Sequence, residues 1–383
     1  METSTKRVFL SAGEASGDAY GAALARQMGA YDFEGVGGPR MAAAGVRLHG
    51  DTSTWGAISI VQSLAVAPRA LRGYYRAKRQ MSRGTPGLFI PIDFGYANIR
   101  LAKHAKRLGW KVLYFVPPGS WRRDRQGRDL PAITDAIVTP FSWSAEILNR
   151  MGANAHWFGH PIKQLLRGAG GPLGSGEPGQ DARGTHGRDA RATVAVLPGS
   201  RAHEIEENLP IVAAALPSDR RAEFALAPTV DADAFRDRWA ALAPERREDL
   251  FTPSDTAGVL SRARAAIVCS GTATLEAALC RCPMVVVYRV SRAMEIEAKL
   301  IGFKRPKFIA LPNILLDRPV VPELVQEEAS PEAVRRHLGE LLEDGVARRA
   351  QLDDFAELDR ILGPEDAITR AAQLAAGMLN HTL

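Results

Sequence analysis

Val8-Phe9-Leu10-Ser11-Ala12, followed by Gly13-Glu14-Ala15-Ser16-Gly17-Asp18 and then by the helical pattern from Ala19 to Met28, is a short β-rich run that turns through small residues into a helix. The same device recurs along the chain. Further β-rich runs at 88–92 (LFIPI), 112–116 (VLYFV) and 136–138 (AIV) are mostly followed by amphipathic stretches, and such alternation predicts a parallel sheet with right-handed crossovers. After a break the pattern restarts at 194–198 (VAVLP), 224–227 (FALA), 265–270 (AAIVCS) and 284–288 (MVVVY). A single hydrophobic core serves roughly 250–300 residues, and this chain has 383. The reading is therefore an α/β protein of two domains, 1–166 and 194–345, with helices over 346–383 packing back towards the first.

Residues 167–193, rich in Gly, Arg and Asp and almost devoid of large apolar side chains, have nothing with which to form a core. They are expected to be a disordered linker insertion. The rival reading, an RGG-like nucleic-acid arm, needs aromatic residues or a longer repeat, so no nucleic-acid partner is expected.

The composition, 46% hydrophobic and 24% charged, is that of a globular chain and argues against a wholly disordered, collagen-like or coiled-coil one. No apolar run reaches the roughly 18 residues of a spanning helix. The N-terminus lacks the apolar core and cleavage site of a signal peptide, so a cytoplasmic location is expected. Cys269, Cys280 and Cys282 lie in one stretch that reads as buried strand and helix. Without a second ligand pair at finger-like spacing they read as core packing, and no metal is expected. Charge is unevenly distributed: residues 1–163 carry 22 Lys and Arg against 11 Asp and Glu, whereas the remainder carries 27 against 32. The first half is thus expected to face something anionic.

Ligand sites in doubly wound sheets lie outside the carboxyl ends of the strands, which directs attention to the turns. In the first turn Ser16 or Asp18 can cap the helix, while the Glu14 carboxylate has no capping duty and can meet sugar hydroxyls. A second Gly-rich turn, Gly35 to Met41, matches a dinucleotide fingerprint only weakly. Asp93 directly follows the run at 88–92, read as the third strand. It is either a general base at the mouth of the sheet or the N-cap of the next helix. In the second half, Gly199-Ser200-Arg201 ends a strand and opens a helix, a combination of exposed amides, helix N-terminus and guanidinium that suits a diphosphate. Ser270-Gly271-Thr272-Ala273-Thr274 repeats the device, with Glu276 one turn on able to accept from a ribose diol. Finally, Ile58, Ile60, Val61 and Leu64, followed by Arg69, Arg72, Arg76, Lys78 and Arg79, combine apolar anchors with cations. The segment is either an interfacial element for anionic lipid or a core helix with a solvated basic face.

These segments, in this order, resemble lipid-A-disaccharide synthases: SAGEASGD, GVGGPRM, IDFGYAN, LPGSR with HEIE, SGTATLEAAL, CPMVVVYR, and LPNILLDRPVVPELVQEE at 311–328. The resemblance implies two Rossmann-like domains facing a central cleft, the GT-B arrangement. It also implies inverting transfer of a 2,3-diacylglucosamine unit from its UDP conjugate to 2,3-diacylglucosamine 1-phosphate, forming a β-1,6-linked disaccharide and UDP without a cofactor. It assigns Asp93 as the essential base and Arg201 as the arginine at the diphosphate. Glu14, Ser16 and Asp18 fall in its first signature, and Asn313 and Gln326 in its last.

The chain departs from the family pattern on the acceptor side. Phe94-Gly95-Tyr96-Ala97 removes a second aspartate, Trp121-Arg122-Arg123 lacks a second tryptophan, and Pro140-Phe141-Ser142 ends in Ser where Glu is usual. Those changes leave two alternatives: a related transferase with another UDP-sugar or acceptor, or a catalytically weakened nucleotide-sugar-binding homologue. With both expected substrates carrying acyl chains, the protein is expected to be peripheral on the inner membrane.

Overall fold

A computed structural model describes residues 6–52, 60–168, 193–300, 302 and 305–380, apart from the side chains of residues 60–67 and 96. Most of the expected linker, and Ile58, lie outside the described residues. The chain forms two compact units, one of residues 1–165 with 362–383 and a second of 166–361.

The first unit is built on seven parallel strands in the order β3-β2-β1-β4-β5-β6-β7. In chain order they are β1 (Arg7–Ala12), β2 (Asp32–Gly37), β3 (Arg47–Asp51), β4 (Leu88–Ile92), β5 (Lys111–Phe115), β6 (Ala136–Thr139) and β7 (Ala155–Trp157). Side chains alternate between the two faces of a strand, and both faces of this sheet are covered. Val8 and Leu10 point into a cluster with Tyr20 and Leu24 of α1 (Ala15–Met28) and Ile368, Ala371 and Ala375 of α16 (Ala367–Asn380). Phe9 and Phe89 point into another, with Ala77 and Met81 of α3 (Ile60–Met81) and Leu101 and Ala105 of α4 (Gly95–Arg107). Double coverage explains why β4 reads as an unbroken apolar run.

β4 is the fourth strand in sequence, not the third, because β2 and β3 precede it. β2 is inconspicuous in the sequence, since Glu34 stands in its middle. That carboxylate is 3% exposed and is held by Arg7 and, at 2.9 Å, by His49 Nε2, so the charge buried with the strand is paired. These contacts hold the Glu34 carboxyl below the usual range against the opposing effect of burial.

The second unit has six parallel strands in the order β10-β9-β8-β11-β12-β13. They are β8 (Thr193–Leu197), β9 (Arg221–Leu226), β10 (Leu250–Pro253), β11 (Ala265–Cys269), β12 (Met284–Tyr288) and β13 (Glu323–Val325). α14 (Pro331–Leu342) buries Val334, Leu338 and Leu341 against this sheet. The unit extends through Ile361, past residue 345, and includes nearly all of α15 (Val346–Leu362). Only from Leu362 onward does the chain rejoin the first unit.

In each sheet the strand order reverses beside the first strand, between β1 and β4 and between β8 and β11. Crevices form at the carboxyl ends of strands at such switch points.

Candidate active site

In the first unit, the loops after β1 and β4 meet at the switch point. Asp93 and Phe94 both have left-handed backbone, with φ of 49° and 47°. Asp tolerates this region better than a bulky residue does, so Phe94 carries the strain. Its ring packs flat on Gly13: a Cβ there would come within 2.1 Å of Phe94 Cγ. The strained turn is held from below. Asp93 N–H donates to Phe115 O at 3.2 Å, and its carbonyl accepts from Tyr114 Oη at 2.9 Å and Asn98 Nδ2 at 3.0 Å. Asn98, fully buried, also reaches Ser11 O and Ile92 O at 3.1 Å and accepts from Ser11 Oγ at 2.6 Å. This side chain stitches the ends of β1 and β4 together.

The Asp93 carboxyl is thereby fixed in a largely buried position. Burial, then the charge of Glu14, push its pKa up to about 6, against a smaller lowering by the Phe94 N–H. Glu14, which is exposed, and the largely buried Asp93 are thus close enough for their charges to interact. Asp93 is not the N-cap of α4, a position that Phe94 occupies.

In the second unit, the turn after β8 opens α8 (Ala202–Ala215), with Arg201 at the N-cap. Its amides are already engaged. Glu204 Oε2 accepts from Ser200 N at 3.0 Å and Arg201 N at 3.2 Å, while Oε1 pairs with Arg201 Nη1 at 2.8 Å. Gly199, with φ +107°, leaves room for that carboxylate: a Cβ would lie 2.7 Å from Glu204 Oε2. The turn is therefore an anion site whose amides hold a resident carboxylate, and Arg201 is the element with a side chain directed by it. Thr229 Oγ1 ties the turn to the loop after β9 through Ser200 O at 3.0 Å. Tyr288, at the end of β12, stands close enough that Glu204, after burial, helps push its phenol up to about 12. His203 Nε2, buried in the first turn of α8, has no hydrogen-bond partner among the described residues. Asn98, Glu204 and Tyr288 lie in motifs already quoted, but their contacts are not legible in the sequence, because each acts through a backbone or a neighbour.

Several residues read from the sequence as substrate contacts are engaged within the fold. Asp18 does not cap α1, whose N-cap is Glu14 without a side-chain bond. Its carboxylate instead accepts from Gly38 N at 2.9 Å, Arg40 N at 3.0 Å and Met41 N at 3.0 Å, clamping the second Gly-rich turn. Asn313 is buried, with Oδ1 accepting from Val320 N and Val321 N, both at 2.8 Å, and Nδ2 donating to Glu323 at 2.8 Å. Ser270 Oγ donates to Ile309 O at 3.0 Å, and Thr274 Oγ1 donates to Gly271 O and accepts from Leu311 N. Gln326 Oε1 accepts from Val290 N at 2.8 Å. Ser16, Thr272 and Glu276 are partly exposed, and Gly271 is exposed at the N-terminus of α11 (Thr272–Leu279), which has no side-chain cap.

Helix α3 has a core face and an exposed basic face. Ala77 and Met81 are buried in the core, whereas Arg69, Arg72, Arg76 and Arg79 are exposed beside Leu71 and Tyr75. Among the described residues, no helix is long and apolar enough to cross a membrane. The three cysteines are buried, and burial pushes Cys280 and Cys282 up to about 12.

Against known proteins, the model of the lipid-A-disaccharide synthetase family matches residues 8–376. The lipid-A-disaccharide synthase of Acidobacterium capsulatum is 34% identical, covering 99% of this chain and 98% of its own. Among solved structures, the Staphylococcus aureus MnaA–UDP complex aligns with a TM-score of 0.60 at 12% identity, over 98% of this chain and 97% of its own. The glycotransferase of kitacinnamycin aligns at 0.59 and 15%, over 98% and 99%. These two likenesses support the GT-B fold, and the sequence match supports the disaccharide-synthase reading over the alternatives. The chain belongs to the lipid-A-disaccharide synthase family of glycosyltransferases.

Proposed function

We propose that the chain joins UDP-2,3-diacylglucosamine to 2,3-diacylglucosamine 1-phosphate, with Asp93 as the general base and Arg201 at the departing diphosphate. The observation that carries this reading is the Asp93 carboxyl, held on a braced left-handed turn at the switch point of the first sheet. With a pKa of about 6 it is ionised at neutral pH and basic enough to accept a proton. The acceptor's 6-hydroxyl gives its proton to Asp93 as its oxygen attacks the anomeric carbon. The bond from that carbon to the diphosphate breaks, and the electron pair leaves with UDP. One displacement inverts the anomeric centre.

Arg201 offsets the charge that grows on the leaving group, held in orientation by Glu204. Glu276 and the backbone at Gly271 and Thr272 are assigned to the nucleotide, and Glu14 and Ser16 to sugar hydroxyls. Both substrates carry acyl chains, so the first unit works at an anionic membrane, on the cytoplasmic side. The exposed Leu71 and Tyr75 among Arg69, Arg72, Arg76 and Arg79 support that surface, to which Ile58, Ile60, Val61 and Leu64 would add apolar anchors.

The test is a transfer assay with purified donor and acceptor, following both UDP and disaccharide. Arg201→Ala is expected to lower kcat at least about a hundredfold, as loss of a preorganised charge contact does, with the circular dichroism spectrum unchanged. Glu204→Gln, which keeps one acceptor for the turn, should lower kcat less. Full turnover in Arg201→Ala would remove the diphosphate role.

A further inference from the structure

The loop between β5 and the short helix α5 (Leu130–Ile133) reads Trp121-Arg122-Arg123-Asp124-Arg125-Gln126-Gly127-Arg128-Asp129, four arginines against two aspartates. Surface loops of this kind are ordinarily mobile. This one is braced from beneath by α6 (Ser142–Arg150). The buried Gln126 donates to Arg122 O at 2.9 Å and accepts from Ser144 Oγ at 3.1 Å, while Trp143 Nε1 donates to Ser120 O at 3.2 Å. The arginines are held differently. Arg122 makes a two-pronged pair with Asp124 at 2.9 and 2.7 Å, so its charge is matched locally. Arg123 lies with its guanidinium carbon 4.1 Å from the centroid of Trp143, and that ring stacks on Phe141 at 4.6 Å and 7°. Packing on an aromatic face fixes a guanidinium's plane, which favours two-pronged recognition of a phosphate.

The loop also abuts the Asp93 turn. A Cβ on Gly95 would lie 2.8 Å from the Pro118 ring, so the start of the loop touches the residue two places after Asp93. Arg123 rests on the residues that follow β6, two strands from β4 in the sheet order, or about 10 Å at the usual strand spacing. On the opposite side of Asp93, after β1, stands the carboxylate of Glu14, which raises the Asp93 pKa by its charge. An anionic substituent beside Asp93 is thus repelled towards the β5–β6 side, where the arginines are.

We propose that this loop is the subsite for the acceptor's phosphomonoester, with Arg123 as its principal contact. The inference rests on the acceptor reading given above and adds how the phosphate is told from a free hydroxyl. A hexosamine 1-phosphate carries its phosphate and its 6-hydroxymethyl group on the two carbons flanking the ring oxygen. With the hydroxyl at Asp93 and the phosphate turned away from Glu14, the phosphate faces the side of the sheet on which Arg123 is held. The positions at which the chain departs from the family's tryptophan-rich pattern are then the positions that read the acceptor.

The experiment measures kcat/KM for 2,3-diacylglucosamine 1-phosphate and for the same sugar lacking the phosphate, at fixed donor, and takes the ratio. Wild type should favour the phosphorylated sugar. Arg123→Ala should lower the ratio about ten- to a hundredfold, the usual loss for a contact to a charged group, and Arg123→Lys should lie between. Arg122→Ala should leave the ratio within about twofold, since that charge is already matched. A wild-type ratio near one, an unchanged ratio in Arg123→Ala, or an equal fall in Arg122→Ala would overturn the subsite. Transfer by wild type to neither sugar would overturn the acceptor reading itself, a result separable from the others.

Discussion

Replacing Asp93 with Asn should abolish transfer and stabilise the protein. The carboxyl titrates at about 6 against an ordinary 3.8, a difference of about two units, or about 3 kcal/mol. Its sign follows from protonation. Below pH ~4 the side chain is neutral whether the chain is folded or not, and no penalty exists. Between about pH 4 and 6 the unfolded chain ionises while the buried carboxyl stays protonated, so stability falls across that window and levels off above it. Asn carries no charge and tolerates the left-handed backbone that Asp93 adopts. The substitution should therefore raise Tm by about 5–10 °C at pH 7.5 and by about a third of that at pH 4.5. Thermal unfolding of both proteins at the two pH values, alongside the transfer assay, provides the readout. A gain of equal size at both pH values, or no gain at pH 7.5, would refute the assignment of a costly buried charge. Retained turnover would refute the base.

Glu14→Gln removes the second cause of the raised Asp93 pKa, so the acid limb of kcat/KM should move to lower pH while staying above the ordinary carboxylate range; a limb that stays put would separate the two groups. Asp18→Ala strands three backbone donors and should cost about 2–4 kcal/mol of stability, read by denaturant unfolding, with little change in KM for either substrate; the reverse pattern would make Asp18 a ligand. Changing Ile60, Val61 and Leu64 to Ser should weaken binding to phosphatidylglycerol vesicles and slow turnover of bilayer-held substrate while sparing detergent-dispersed substrate. Wild-type vesicle binding should weaken with salt without vanishing, because screening removes only the Coulomb part. Unfolding of the triple variant would assign those side chains to the core.

The two-domain βα organisation was legible because β1, β4, β5, β8, β11 and β12 lie inside their sheets and are covered on both faces, leaving continuous apolar runs. β2, β3, β7, β10 and β13 were not. They carry residues such as Glu34, His49 and Pro253 or have only three positions, and pair by backbone bonds that composition does not reveal. The same blindness affected the site. Asp93 and Arg201 could be singled out as candidates because they follow the carboxyl ends of strands, where ligands bind. Asp18, Asn313 and Thr274 sit in similar turns and look alike in sequence, yet their oxygens are taken by backbone amides. Glu204 reads as a first-turn helix acid, and only the fold reveals it filling the turn that Gly199 keeps open.

The most direct measurement is the structure of the product. UDP-2,3-diacylglucosamine and 2,3-diacylglucosamine 1-phosphate, incubated with the protein, should yield UDP and one disaccharide. Its new anomeric proton should show the large coupling of a β linkage to the 6-position, as required by a single displacement with Asp93 as base. An α-linked product, or UDP released with free sugar and no disaccharide, would contradict the account.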